Sequence, residues 1–325
     1  MRNKLYTWIL WAAVIILLAI FPHLVSFYYL NLFIAFAIFS LYAVTVNLLL
    51  GYMGVLSFGH AMFFGTGAYA TALALTHIQG LPLLPAILVG GLAGGLLALI
   101  LSPLLVRVSG TAFAMLTLAF GQLIFVVALK YREVTGGEDG IGGYPIPPLN
   151  IFGLLSIDMT DKINFYYFAV AVVALCLFLL WFYTKTPFGS LVVGVRDNAM
   201  RINYLGFKLT QTKAINLIVS GTFAGIAGAV HALLMKLVST VGVLDINTSF
   251  KPIMMAYIGG VGSFFGPIIG SGVLHVLEDV VIRFTDRIGL VNGTIFILVV
   301  LFAPAGLTGL FSAIKAKWFH KEKIS

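Results

Sequence analysis

The chain has 325 residues, of which 61% are hydrophobic and 9% are charged. A soluble domain carries roughly 25% charged residues, so this much apolar surface requires lipid as its solvent and leaves no room for a large water-soluble domain. The net charge of +8 does not indicate nucleic acid, because the basic residues sit at the N-terminus, in one central loop and at the C-terminus rather than on one face.

In chain order, Arg2 and Lys4 precede a long apolar stretch without a small-residue cleavage site, which predicts an uncleaved first helix. Apolar runs at about 6–28, 31–50, 54–76, 82–106, 112–130 and 163–184 are each long enough to cross a bilayer. Six passes return the chain to its starting side. Loop 185–213, with Lys185, Arg196, Arg201, Lys208 and Lys213, therefore shares a side with the N-terminus. Loop 131–162, with Glu133, Glu138, Asp139, Asp158 and Asp161, lies opposite. The excess of Lys and Arg places the N-terminus and loop 185–213 in the cytoplasm and loop 131–162 outside.

The second half has runs at about 213–236 and 290–312 with a longer one, 252–284, between them. One helix over that middle run would be roughly 50 Å long, and Gly259, Gly260, Gly262, Gly266 and Pro267 interrupt it. Lys315, Lys317, Lys321 and Lys323 put the tail inside as well, which needs an even number of crossings after residue 213. Two short tilted helices within 252–284 supply it; a re-entrant break is the alternative. The expected fold is an all-α, polytopic transmembrane helix bundle of about ten passes (range roughly eight to ten), with glycine-broken helices and a single domain over 1–325.

Small residues at four-residue spacing predict close helix packing, because lipid supplies no hydrophobic drive for helix association. Three such series are Gly90, Gly94, Ala98; Gly221, Gly225, Ala229; and Gly262, Gly266, Gly270. Polar groups inside spans are costly, which singles out Asn47, His60, Gln122, His231, His275 and the pair Glu278-Asp279. Glu278, Asp279, Arg283, Asp286 and Arg287 read as a structural cluster near a span end. The stretch Gly51 to His60 faintly echoes Gly259 to Pro267, which is either a mark of the substrate route or chance in a chain with 35 glycines.

In loop 185–213, Leu191, Val195, Ala199, Ile202 and Leu205 fall on one helical stripe that stops at Gly206. Asp197 and Arg201 are spaced to pair across a turn. Such a helix either lies on the lipid surface or docks another protein. Cys176 stands alone, so no disulfide framework can form. The sequence contains no phosphate loop, clustered metal-ligand spacing or nucleophile elbow. No enzymatic activity is expected of this chain, and any ATP hydrolysis belongs to a partner.

Four segments together resemble the LivM-type permease subunits of branched-chain amino acid ABC importers. They are Gly51 to Gly65 (GYMGVLSFGHAMFFG), Phe113 to Gln122 (FAMLTLAFGQ), Thr135 to Gly140 (TGGEDG) and Gly259 to Pro267 (GGVGSFFGP). The likeness covers residues from about 30 to 312. It implies a bacterial or archaeal inner-membrane importer whose channel is formed by two homologous permease subunits. Two cytoplasmic ATPase subunits dock from inside, and an extracytoplasmic binding protein delivers leucine, isoleucine or valine. It also implies that this chain binds membrane lipid and no cofactor of its own, ATP being used by the partner subunits.

The stretch from Arg196 to Gly206 matches the place of the family's ATPase-coupling helix, where an acidic residue usually precedes an alanine. Here Asn198 precedes Ala199, with Asp197 one earlier. The resemblance thus implies coupling contacts from Arg196, Asp197, Asn198, Arg201, Leu205 and Gly206. For the substrate route we expect Ser57, Gly59, His60, Gln122, Gly260, Gly262 and Ser263, because a zwitterion with an apolar side chain suits a few polar groups without strong net charge. Arg201→Glu or Gly206→Pro is expected to uncouple or disassemble the complex while leaving membrane insertion intact; ATP-driven uptake at the normal rate would refute this. Rival readings are a permease of the same architecture for urea, short amides or other amino acids, an ion-coupled secondary transporter, and an intramembrane enzyme.

Overall fold

The computed structural model describes residues 18–151, 155–285, 287–302 and 306–309. Residues 6–17 of the first apolar run, Asp286 and the lysines of the tail lie outside the described residues. Helical residues 18–24 (α1) lead into α2 (Phe27–Asn47), which ends in a π-helical turn, Leu48–Tyr52. Residues 53–60 are irregular, so the run expected from 54 becomes helical at α3 (Ala61–His77). Then come α4 (Leu83–Leu105), α5 (Thr111–Lys130) and the short α6 (Arg132–Thr135). The following loop carries β1 (Ile141–Gly142), β2 (Leu149–Ile151) and β3 (Leu155–Ile157).

After it the chain forms α7 (Lys162–Lys185), α8 (Pro187–Tyr204), α9 (Leu209–Met235), β4 (Leu237–Val238) and α10 (Thr240–Leu244). It ends with α11 (Ile246–Gly259), α12 (Gly266–Val281) and α13 (Ile288–Phe302). Two antiparallel strand pairs, β1 with β4 and β2 with β3, tie down the loop. Within it, the Thr160 backbone N–H (2.8 Å) and hydroxyl donate to Asp158, hold its carboxyl below the usual carboxylate range and shape the approach to α7.

Contacts fix the direction of each pass. α2 runs toward α8, whose Arg196 meets Gly51, and α3 runs away, since Tyr69 reaches Thr240 beyond the far end of α9. α4 packs antiparallel on α9, and α7 leads straight into α8. α11 returns to the α8 side, α12 leaves it with Asp279 beside Tyr28 at the start of α2, and Gly306 beyond α13 lies against Gly260. α2, α4, α5, α7 and α9 are long and apolar enough to cross a membrane by themselves.

The middle run therefore resolves into two antiparallel helices, as the glycines and Pro267 predicted. With 14 and 16 residues, α11 and α12 are about 21 and 24 Å long, short of a hydrocarbon core of about 30 Å. Within the hydrocarbon region, non-helical backbone is tolerated only where it is buried in protein or lines a water-filled cavity. Gly260 (φ 117°) and Gly262 (φ 86°) make the turn between them, in conformations that any other residue would adopt only with strain.

The tightest pairing is α4 on α9. Gly90, Gly94 and Ala98 lie along Gly221, Gly225 and Ala229, and Gly67 of α3 also rests on Gly225. A Cβ at Gly94 would sit 2.5 Å from the Gly221 carbonyl oxygen. On the outer face of α4, Leu88, Leu92, Leu96 and Leu99 are exposed, which suits lipid. The third expected series is not one helical ridge: Gly262 lies in the break, whereas Gly266 and Gly270 pack on Gly260 and Met255. In the charged cluster, Asp279 pairs with Arg283 at 2.8 Å, but Glu278 turns inward to Lys251 and Asn292.

Candidate functional site

The end of α2 is the structural centre of the site. A π-helical turn frees carbonyls from the regular ladder, and each needs another donor when buried. The Leu48 carbonyl accepts from Asn216 Nδ2 at 2.9 Å, and the Thr45 carbonyl accepts from Ser220 Oγ at 2.7 Å, both donors on α9. The Gly51 carbonyl accepts from Arg196 Nη1 of α8 at 2.5 Å. Tyr183 of α7 fixes Asn216 by donating to its Oδ1 at 3.0 Å.

The two echoing glycine segments meet here. A Cβ on Gly51 would lie 2.5 Å from the Gly262 nitrogen, so the two backbones touch. Asn47 fastens the contact: its Oδ1 accepts from the Gly262 N–H at 3.2 Å, and its Nδ2 donates to the Ser263 carbonyl at 2.9 Å. Arg196 lies across the junction. Its stem rests against Gly54, whose φ is +74°, and its Nη1 points toward Gly262. Asp197 holds the guanidinium with Oδ1 2.9 Å from both Nε and Nη2.

Beyond Arg196, the expected single stripe is interrupted. Asn198 has φ −158° and ψ 91°, outside the helical region, and its Oδ1 accepts from the Arg201 N–H at 2.9 Å. It therefore caps a separate short helix, as Asn does when its side chain competes for backbone donors. Val195 is buried and Leu191, Ala199 and Ile202 are half-buried, with Ile202 folded over Gly194. Leu205 is exposed, together with Met200, Tyr204 and Phe207. Met200 and Tyr204 lie off the expected stripe by their own spacing, and Phe207 follows Gly206, beyond the end of α8. Gly206 has φ +87°, which proline, locked near −65°, cannot take. Asp197 pairs with Arg196, and no bond joins it to Arg201 among the described residues.

The expected substrate-route residues fall in three places. Ser57 and His60 are fully buried, His60 among α2, α3 and α9. His60 Nε2 lies 3.2 Å from Thr45 Oγ1 and 3.4 Å from Ser220 Oγ, its ring stacks on Tyr42, and Ser57 Oγ and His60 Nδ1 have no partner among the described residues. Gly59 packs on Thr117 and Gly121 of α5, next to half-buried Gln122. Gly260, Gly262 and Ser263 belong to the junction under Arg196. Sequence reasoning passed over Thr45, Asn216 and Ser220, although Asn216 and Ser220 stand four apart in an apolar helix and so share a face.

Broken helices that meet inside an apolar bundle, beside an amphipathic helix with an uncovered apolar end, define a polytopic helical membrane protein. The profile of the family described as "Branched-chain amino acid transport system / permease component" matches residues 28–304, and the chain belongs to that family. It is 27% identical over 314 residues to the high-affinity branched-chain amino acid transport system permease protein LivM of Salmonella typhimurium, covering 91% of this chain and 73% of that protein. LivM of Escherichia coli matches with the same identity and coverage. The guanosine ABC transporter permease protein NupQ of Bacillus subtilis is 35% identical over 129 residues, 38% of this chain and 39% of that protein. No solved structure matches the chain.

Proposed function

We propose that this chain is the membrane subunit of an ATP-binding-cassette importer for leucine, isoleucine and valine, residing in the inner membrane with both termini and α8 in the cytoplasm. A second homologous permease completes the channel, two ATPases dock on α8, and an extracytoplasmic binding protein supplies substrate. The observation that carries this reading is Arg196: one side chain of the amphipathic helix is bonded to Gly51 and lies over Gly262. Movement of α8 with the ATPases then acts directly on the break in α2 and on the break between α11 and α12. Closing and opening of the bundle follow if the ATPases contact α8 differently in their two states.

Met200, Tyr204, Leu205 and Phe207 form the apolar contact in this reading. Tyr204→Ser with Leu205→Ser is expected to weaken ATPase association by one to two orders of magnitude, about 1.4–2.7 kcal/mol for loss of a central interface anchor. Titration of the purified ATPase against the detergent-solubilised permease pair measures it, and unchanged affinity would exclude this face as the contact.

The relative named for guanosine favours a second reading, in which the same machinery carries a nucleoside. Proteoliposomes holding the full complex, supplied with binding protein and ATP, separate the two: labelled leucine accumulates under the first reading and labelled guanosine under the second. Uptake driven by a proton or sodium gradient without ATP would refute both.

A further inference from the structure

A cavity of about 620 Å³ opens between α11, α12 and α13, near the end of α12 and the start of α13 and therefore toward the side away from α8. Three polar side chains from three different helices converge in it. Lys251 Nζ lies 3.1 Å from Glu278 Oε2, and Asn292 Nδ2 donates to Glu278 Oε1 at 2.9 Å. Asn292 is 8% exposed, yet its Oδ1 has no partner among the described residues. Glu278 is the deeper member of the ion pair, with 16% of its side chain exposed against 39% for Lys251. Phe250, Met254 and Phe296 supply an apolar wall.

An ion pair adds little stability whether it is exposed, where solvent screens it, or withdrawn from water, where well-packed apolar residues of the same size commonly serve as well or better; the Lys251–Glu278 pair lies between these limits. Inside a membrane, such groups mark pathways more often than scaffolds. We propose that Lys251, Glu278 and Asn292 form a transit site for a small zwitterion bearing one ammonium and one anionic group, and that the occupant is a free α-amino acid with an apolar side chain. The inference rests on the amino-acid reading above and deepens it. The ligand carboxylate takes the place of Glu278 on Lys251. The ligand ammonium then donates to the released Glu278 oxygen and to Asn292 Oδ1, an acceptor that lacks a donor among the described residues. Its side chain lies along Phe250, Met254 and Phe296. One internal ion pair is exchanged for two ion pairs and one hydrogen bond to the ligand, so no net charge is left uncompensated. The exchange also keeps occupancy weak and release fast, as passage requires.

A zwitterionic lipid headgroup, with its ammonium and phosphodiester, offers the same pair of charges, so the test separates the two sources. The permease pair with its ATPases is reconstituted in nanodiscs of phosphatidylglycerol alone or with phosphatidylethanolamine, and binding of labelled leucine is measured without binding protein. Saturable binding is expected in phosphatidylglycerol discs. Isoleucine should compete, whereas isovalerate and isoamylamine, each lacking one charge, should not.

Glu278→Gln should weaken binding at least tenfold. The double variant Lys251→Met with Glu278→Met leaves no unpaired charge; it should assemble with the wild-type elution profile yet bind leucine at least tenfold more weakly and lose ATP-driven leucine uptake. Leucine uptake at the wild-type rate by this double variant would overturn the proposal, including where the variant loses only phosphatidylethanolamine. A wild-type complex that carries guanosine and not leucine would overturn the amino-acid reading itself, and this inference with it.

Discussion

Replacing Gly225 with valine is expected to leave no folded permease. Gly225 sits where three helices approach backbone to backbone: Gly67 of α3 rests on it, Gly94 of α4 faces it, and a Cβ would lie 2.5 Å from the Gly90 carbonyl oxygen. No side chain stands there to rotate away, so α4 and α9 must separate. Overpacking in a tight core costs about 1–3 kcal/mol even where neighbours can shift. Here the separation also strips the contacts of the Gly94–Gly221 pair and exposes buried backbone to its neighbours. Because lipid does not drive helices together, no hydrophobic gain offsets the lost packing.

A monodisperse peak in mild detergent should therefore vanish for Gly225→Val, while Ile215→Ala, at an exposed position of the same helix, should keep it. A folded, transport-competent Gly225→Val protein would mean that α4 and α9 do not pack as described.

That contact was legible in advance because it is local to each helix: small residues at i, i+4 and i+8 make a groove whatever the partner. The reversal in 252–284 was legible for a similar reason, since Gly260, Gly262 and Pro267 break a helix by their own backbone chemistry. The π-helical turn after Asn47 was not. Its freed Leu48 carbonyl is satisfied by Asn216, 168 residues away, and nothing in Leu48 to Tyr52 announces that partner.

Lys251 was passed over for a different reason. It borders the apolar run that starts at 252 and reads there as an edge residue, whereas α11 begins at Ile246 and carries it into the bundle. Asn198 was noticed as a departure from the usual acidic residue. Its capping of Arg201 depends on a local competition between side chain and helix that the apolar stripe does not reveal.

Removing the Arg196 side chain is expected to separate ATP hydrolysis from transport. In Arg196→Ala the Gly51 carbonyl loses its charged donor and α8 loses the strut that lies between Gly54 and Gly262. A hydrogen bond from a charged group is worth about 1.5–3 kcal/mol, so the bias that α8 exerts on the two breaks should fall by one to two orders of magnitude. Leucine delivered per ATP, measured in proteoliposomes with the complete complex, should drop at least tenfold while the subunits remain assembled. Arg196→Lys should retain part of the coupling, because an ammonium can reach one acceptor but cannot hold Gly51 and the Asp197 carboxylate in one planar fork. The same junction can be tested from its other side. Gly54 has φ +74°, and a Cβ there would lie 2.6 Å from Arg196 Cγ, so Gly54→Ala must displace the arginine without touching α8 itself. If Gly54→Ala reproduces the Arg196→Ala ratio of transport to hydrolysis, the strut is the coupling element. If either variant transports with the wild-type ratio, force passes from the ATPases to the bundle by another contact.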